Sequence, residues 1–343
     1  PPPFPITEVI IHTGQHYDDV MSAIFFRELE IPEPRYNIGI GSGPHGKQTG
    51  EMLAAVEQVL ISEKPDWVLV YGDTNSTLAG ALAAAKLHVP IAHVEAGLRS
   101  FNRRMPEETN RVITDHLSTL LFCPSQIATD NLAAEGISRG ISIVGDVMAD
   151  ALQFAADKVS INTDIISRLN IEKKGYCLAT IHRAENTDVP ERLNRIISAL
   201  LKLAESEPVV LPLHPRTRKI LENSSFILHE RCSVNCGLRI IEPVGYFDII
   251  ALAQSARMIF TDSGGMQKEA YWLKVPCITL RDQTEWVETV ESGWNKIAGA
   301  DYENIIASAL SFNPPGEHPP LYGGDGYAAK RILDVLVKEN TRL

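Results

Sequence analysis

The sequence predicts an α/β fold made of two doubly wound, Rossmann-like domains, on three observations. Short apolar, β-rich runs alternate with segments of helical periodicity along almost the whole chain. Ten such runs are too many for one comfortable sheet in a chain of 343 residues. Polar clusters recur just after these runs, where open α/β sheets carry their chemistry.

In chain order the strand candidates are Glu8–His12, Trp67–Tyr71, Pro90–Val94, Leu120–Cys123, Ile141–Val144, Tyr176–Ile181, Val209–Leu213, Leu238–Ile241, Met258–Thr261 and Cys277–Leu280. Between them Gln48–Ser62, Ser76–Leu87, Pro106–Ser118 and Pro190–Ala204 place apolar residues at i, i+3, i+4 and i+7, the spacing of a helix with one buried face. Alternation of this kind predicts parallel sheets covered by helices on both faces. The boundary falls near Val144–Ala151, before the helix-rich stretch Ala151–Leu169, giving domains at 1–147 and 148–322. After the Gly/Pro-rich loop Asn313–Gly324, the tail 323–343 reads as a last helix crossing back onto the first domain.

Composition narrows the class. A net charge of −11, with 44% apolar and 22% charged residues, is ordinary for a globular chain and excludes collagen-like, disordered and disulfide-stapled classes. The acidic balance speaks against a nucleic-acid surface. No apolar run approaches the roughly 18 residues of a membrane span, and the Pro-rich start lacks the basic and apolar regions of a signal peptide. The five cysteines, Cys123, Cys177, Cys232, Cys236 and Cys277, read as reduced thiols of a cytoplasmic protein. Cys232-x-x-x-Cys236 has no second ligand pair of suitable spacing, so no metal site is expected.

Five clusters could carry chemistry. Gly72-Asp73-Thr74-Asn75-Ser76 follows a buried strand; each polar residue could cap the next helix, but one cap suffices, and Asp73 is left as a functional carboxylate. On the next strand, His93-Val-Glu95-Ala-Gly97-Leu-Arg99 sets Glu95 at a strand end before a glycine, while His93 reads as a satisfied core histidine. Pro106-Glu107-Glu108 opens a helix with Pro at its first position and acids in its first turn, with Arg111 four residues beyond Glu107. His182-Arg183-Ala-Glu185-Asn186 follows the first strand of the second domain, and the basic groups of His214-Pro-Arg216 end the next. These positions converge on a cleft between the domains.

The fifth run is Thr261-Asp262-Ser263-Gly264-Gly265-Met266-Gln267-Lys268-Glu269. Here a strand ends, a Ser-Gly-Gly turn exposes backbone N–H groups and a helix begins, a setting that binds phosphate through orphan donors and the helix dipole. The glycines let an anion approach the backbone, and Glu269 could accept from ribose hydroxyls. A nucleoside diphosphate is the indicated ligand. Gly41-Ser-Gly43-Pro-His-Gly46 has the Gly-x-Gly-x-x-Gly spacing, but Pro44 interrupts it and no strongly buried strand precedes it, so it does not read as a dinucleotide fingerprint; no Walker loop is present. Gly39–Gly46, interrupted by Pro44, reads as a loop beside the cleft.

Together these motifs resemble the non-hydrolysing UDP-N-acetylglucosamine 2-epimerase family, from about Thr13-Gly-Gln-His16 to the final helix. The resemblance rests on Gly72-Asp-Thr74, His93-Val-Glu-Ala-Gly-Leu-Arg99, Pro106-Glu-Glu108 with Asn110-Arg111, His182-Arg183 with Glu185-Asn186, and Asp262-Ser-Gly-Gly265 with Gln267 and Glu269. It implies GT-B architecture and reversible inversion at C2 of a UDP-2-acetamido sugar without an added cofactor. In the family mechanism a base takes the C2 proton as UDP leaves C1, a 2-acetamidoglucal forms, a proton returns on the other face and UDP re-adds. Carried over by position, Asp73, Glu95, Glu107 and His182 are catalytic. Arg111, Arg183, His214, Ser263, Gly264, Gly265 and Glu269 bind UDP. Gln15 and His16 match a segment through which some members bind a second UDP-GlcNAc as an allosteric activator. Such enzymes are usually homodimers of polysaccharide-precursor synthesis.

Gln267-Lys-Glu-Ala270 and Arg281-Asp-Gln-Thr-Glu-Trp286 look more like the branch containing UDP-2,3-diacetamido-2,3-dideoxyglucuronate 2-epimerases, and Arg103, Arg104 or Arg183 would suit a uronate carboxylate. The start departs from the family. Its members open with a strand and a Gly-x-Arg-Pro type turn, whereas Pro1–Pro5 runs straight into Glu8–His12, so measured against the family pattern a strand-helix unit of roughly 30 residues reads as missing. A non-catalytic UDP-sugar binder is therefore one alternative. A glycosyltransferase on the same architecture and a hydrolysing epimerase are others.

Overall fold

The computed structural model of the chain describes residues 6–14, 26–213, 217, 218, 220, 221 and 237–340. Two compact units emerge. One takes the chain up to Ala151 and again from Tyr322, and the other is Leu152–Leu321.

The first unit contains β1 (Ile11–His12), β2 (Tyr36–Asn37), α1 (His45–Glu63), β3 (Val68–Tyr71), α2 (Asn75–Lys86), β4 (Ile91–Val94), α3 (Pro106–Leu117), β5 (Leu120–Cys123), α4 (Gln126–Ala134) and β6 (Ile141–Ile143). Strands β3-β4-β5-β6 pair in that order, all parallel, and β1 pairs with β2 in a separate parallel ribbon. Ile11 and Ile38 of the ribbon region pack on the apolar cluster of Val56, Leu60, Val70, Ala81, Ala84 and Ile91. Small residues let α2 sit close to the sheet: a Cβ on Gly80 would come within 3.1 Å of the Val70 side chain. Helix α1 begins at His45, directly after Pro44 in extended geometry. The glycine-rich run therefore feeds the first helical turn instead of ending in a loop, because Pro is excluded from helix interiors but tolerated at their start.

Helix α5 (Val147–Asn162) crosses the division between the units. The second unit continues with α6 (Ile165–Arg168), β7 (Cys177–Thr180), α7 (Ala184–Thr187), α8 (Pro190–Leu203), β8 (Val209–Pro212), β9 (Leu238–Ile241), α9 (Tyr246–Ser255), β10 (Met258–Thr261), α10 (Gly264–Trp272), β11 (Cys277–Thr279), α11 (Val287–Glu291), β12 (Asn295–Ile297) and α12 (Tyr302–Ser311). Its six strands run parallel in the order β12-β11-β10-β7-β8-β9. The chain starts at the centre, winds outward through β8 and β9, then returns to β10 and winds out the other way. The switch point lies between β7 and β10, where doubly wound sheets bind ligands beyond their strand ends.

The last helix, α13 (Ala328–Asn340), packs on the first unit, with Ile332 buried among Ala92, Val94, Leu120, Phe122 and Val144. Asp150 accepts from Ala328 N at 3.1 Å and Ala329 N at 2.8 Å, satisfying orphan donors of its first turn, a cap worth about 1 kcal/mol. Gly145 makes the return possible, since at φ +87° a Cβ there would meet the Tyr322 carbonyl oxygen at 2.9 Å.

Cys123, Cys177 and Cys277 are buried and free, and burial pushes each thiol up to about 12. Among the described residues no helix is long and apolar enough to cross a membrane. In the same set no group of three or more His, Cys, Asp or Glu side chains is placed to hold a metal ion.

Candidate active site

In the first unit the candidate carboxylates Asp73 and Glu95 follow two adjacent strands, β3 and β4. Thr74, not Asp73, caps α2: its hydroxyl accepts from Thr77 N at 3.4 Å. Asp73 is thereby released from capping, and its carboxylate forms an ion pair with Arg111 Nη2 of α3. Its backbone carbonyl is held by Asn110 Nδ2 at 2.9 Å, and the same amide reaches Asn75 Oδ1 at 3.1 Å. Asn75 in turn donates to Gln48 Oε1 at 2.7 Å, and Gln48 to the Gly41 carbonyl at 2.9 Å, so α1, α2 and α3 are laced together beneath Asp73.

Glu95 follows β4 with φ +68°, a left-handed conformation uncommon for a residue with a side chain. Its carboxylate reaches the neighbouring strand end, for a Cβ on Gly72 would lie 3.2 Å from Glu95 Oε2. Gly72, itself at φ +62°, makes room for that carboxylate as well as for its own turn.

Helix α3 contributes two acids with different duties. Glu108 is buried and accepts from Ser100 N, Ser100 Oγ and Phe101 N, each at 2.9 Å, and from Arg111 Nη1 at 3.0 Å. It is a clamp on the preceding loop. Glu107, on the same first turn, stays partly exposed. Burial raises the Asp73 carboxyl above its ordinary range; the charges of Glu95 and Glu107 add to the rise and Arg111 opposes it. Asp73 thus feels the charges of Glu95 and Glu107 while paired with the buried Arg111 guanidinium. Such a group can take up and return a proton.

In the second unit the residues after β7 and β10 face each other across the switch point. Asp262, fully buried, accepts from His182 N and Arg183 N at 3.1 Å and from Asn186 Nδ2 at 3.2 Å. The partly exposed His182 ring sets Nδ1 3.3 Å from the same carboxylate. Asp262 therefore orients the histidine and ties its loop to the turn that follows. Ser263 caps α10, its hydroxyl accepting from Met266 N at 3.3 Å. Gly264 lets two side chains close over the turn: a Cβ would lie 2.7 Å from Glu285 Oε1 and 3.1 Å from Trp286 Nε1. Arg281 holds Glu285 at 3.0 Å, and Lys268 lies buried with Nζ 3.9 Å from the centre of the Trp286 ring. Glu269 accepts from the Tyr246 hydroxyl at 2.9 Å.

Asp73, Glu95, Glu107 and Arg111 thus come together in one unit, and His182, Arg183, Ser263, Gly264, Gly265 and Glu269 belong to the other. His214, Gln15 and His16 lie outside the described residues. Sequence reasoning assigned no role to Asp262, Glu108, Asp115, Tyr246 or Glu285. Asp262 and Glu108 lay inside quoted motifs, but their burial and partners are tertiary facts.

The family model described as UDP-N-acetylglucosamine 2-epimerase matches residues 5–337. The chain belongs to this family. It is 56% identical over 330 residues to a UDP-N-acetylglucosamine 2-epimerase homolog of Methanococcus maripaludis, covering 96% of this chain and 91% of the relative. It is 50% identical over 339 residues to a UDP-2,3-diacetamido-2,3-dideoxy-D-glucuronate 2-epimerase of Pseudomonas aeruginosa, covering 97% and 92%. The Methanocaldococcus jannaschii UDP-GlcNAc 2-epimerase, solved in complex with UDP-GlcNAc and UDP, superposes with a TM-score of 0.89 at 46% identity, covering 98% of this chain and 93% of that one. Like other UDP-N-acetylglucosamine 2-epimerases, the chain has the GT-B class of fold, with two Rossmann-like domains.

Proposed function

We propose that this protein is a UDP-sugar isomerase that interconverts UDP-GlcNAc and UDP-ManNAc, or a close UDP-2-acetamido sugar, by elimination and re-addition of UDP. The observation that carries the reading is Asp73, paired with Arg111 and within the electrostatic reach of Glu95 and Glu107, in a chain of this family. Inversion at C2 requires one group to remove the carbon-bound hydrogen and another to return a proton to the opposite face. A carboxylate raised by burial and by two neighbouring acids suits either duty. The diphosphate leaving C1 needs its growing charge met by fixed donors. In this reading the N–H groups of the Ser263–Gly265 turn, together with Arg183 and His214, hold that diphosphate. His182, oriented by Asp262, serves the reacting sugar, and Glu269, steadied by Tyr246, accepts from the ribose. The reading carries with it a homodimer in the cytoplasm, supplying activated sugars for surface polysaccharide.

The relative at 50% identity gives the diacetamido uronate a specific claim as second substrate. One experiment weighs both: incubation with each UDP-sugar in D₂O, followed by proton NMR. The expected result is the C2 epimer of at least one, bearing deuterium at C2. Release of free sugar and UDP would make the enzyme hydrolysing instead. UDP binding with no deuterium at C2 of either sugar would reduce the protein to a binder. Strong preference for UDP-GlcNAc would remove the uronate.

A further inference from the structure

We propose that His93 and Asp115 are positioning residues that lock the two loops bearing Asp73 and Glu95 into one geometry; the proposal rests on the reading that these carboxylates handle the C2 proton. His93, on β4, is fully buried, with its two ring nitrogens engaged by different segments. Nε2 is 2.7 Å from the Gly72 carbonyl oxygen, which can only accept, so the ring donates there. Nδ1 is 2.7 Å from Asp115 Oδ1 on α3. The other oxygen of Asp115 accepts from Gly97 N at 3.1 Å and from Arg99 Nη1 at 2.7 Å. Arg99 is anchored in turn by Glu135, with Nε to Oε1 at 2.7 Å and Nη2 to Oε2 at 2.9 Å.

The path Glu135–Arg99–Asp115–His93 grips both catalytic loops. Gly72 immediately precedes Asp73, and Gly97 lies two residues after Glu95. Gly72, Glu95 and Gly97 all have positive φ, at +62°, +68° and +80°, and the non-glycine among them holds that conformation only if its surroundings enforce it. Asp115 reaches one loop directly through Gly97 N and the other through His93. A histidine that merely filled the core would need no such bridge between strand ends. Proton transfer depends on the carboxylates keeping their spacing, and displacements of about 1 Å can cost on the order of 10²-fold in rate.

The two nitrogens can be tested apart. His93→Asn keeps an amide where Nδ1 meets Asp115 and loses the grip on Gly72, whereas His93→Gln can still donate to the Gly72 carbonyl. With His93→Asn we expect kcat to fall by about 10²-fold, KM to stay within about threefold, and UDP affinity to be unchanged. His93→Gln should recover at least about tenfold of that loss. Asp115→Asn should lower kcat similarly, and the double variant should be no worse than the singles, because both act along one path. Amide hydrogen exchange provides a readout that needs no turnover: either substitution should speed exchange in both 72–75 and 95–99. Wild-type kcat in His93→Asn, equal losses in the Asn and Gln variants, multiplicative losses in the double variant, or loosening of one loop alone would each overturn the proposal. If the wild-type chain puts no deuterium into C2, the functional reading fails, while the exchange data still decide the coupling of the loops.

Discussion

Replacing Gly97 with alanine tests how tightly the loop carrying Glu95 is wedged against its neighbours. Gly97 has φ +80°, and a Cβ there would lie 2.3 Å from the Ala128 carbonyl oxygen, 2.8 Å from its carbon and 3.1 Å from Leu132 Cγ. Two of these atoms are backbone of α4 and cannot swing aside as a side-chain tip would. Two costs add. A side chain in the left-handed region costs roughly 1–2 kcal/mol, and forcing a methyl group into filled space costs about 1–3 kcal/mol more. Gly136, at φ +83° with nothing within 4 Å of its would-be Cβ, isolates the first cost. Gly136→Ala should therefore lose about 1–2 kcal/mol, and Gly97→Ala about 2–5 kcal/mol. Gly43→Ala, also in open space and without a positive φ, should be neutral or gain about 0.4–1 kcal/mol through the unfolded chain. Urea unfolding followed by far-UV circular dichroism gives the three values, compared at equal slope. Coincident midpoints for Gly97→Ala and Gly136→Ala would refute the steric argument. The loop must also move in Gly97→Ala, straining the bond from Gly97 N to Asp115 and the bond from Asn131 Nδ2 to the Gly97 carbonyl, 3.0 Å. Deuterium incorporation at C2 should then fall well before UDP binding does.

Two further outcomes follow from the electrostatics. Asp73 is raised chiefly by burial, with Glu95 and Glu107 adding to it, so Glu107→Gln should shift the acid limb of the kcat/KM profile to lower pH; an unmoved or rising limb would contradict the shared field. Because folded Asp73 holds its proton more tightly than the unfolded chain, its share of stability is present below its ordinary value of 3.8 and is lost as pH rises through the raised one; Asp73→Asn should flatten that slope in acid titrations of unfolding. Tyr246→Phe removes the hydroxyl from which Glu269 accepts at 2.9 Å; the unmet buried carboxylate should cost about 1–3 kcal/mol of folding stability, read as a lower urea midpoint at equal slope, and an unchanged midpoint would show that this bond does not steady Glu269.

The core strands were legible because their signal is local. Leu120–Cys123 and Met258–Thr261 are buried at every position, and each coincides residue for residue with its apolar run. Tyr36–Asn37 and Asn295–Ile297 escaped notice for the opposite reason. The first is two residues long, and the second is an edge strand whose Lys296 and Ile297 face solvent, so neither carries an apolar pattern. At the site, Asp73 stood out through an excess of capping residues, and the structure explains the excess: Thr74 caps, Asn75 bridges helices and Asp73 is left for Arg111. Asp262 and Glu108 looked like ordinary members of polar runs. Only their partners, a histidine loop 80 positions earlier and a serine loop eight positions earlier, distinguish them.

Taken alone, then, the order of residues determined most of the runs that become strands, where the two proline-led helices start, which acids follow strands, and the family to which the motifs point. All of these depend on neighbours within a few positions, where periodicity and turn chemistry act. Tertiary structure decided which acid is partly desolvated and raised, which carboxylate clamps a loop, and that His93 joins two strand ends through Asp115. Those properties come from desolvation and from donors brought close by packing, and no local spacing in the chain encodes them.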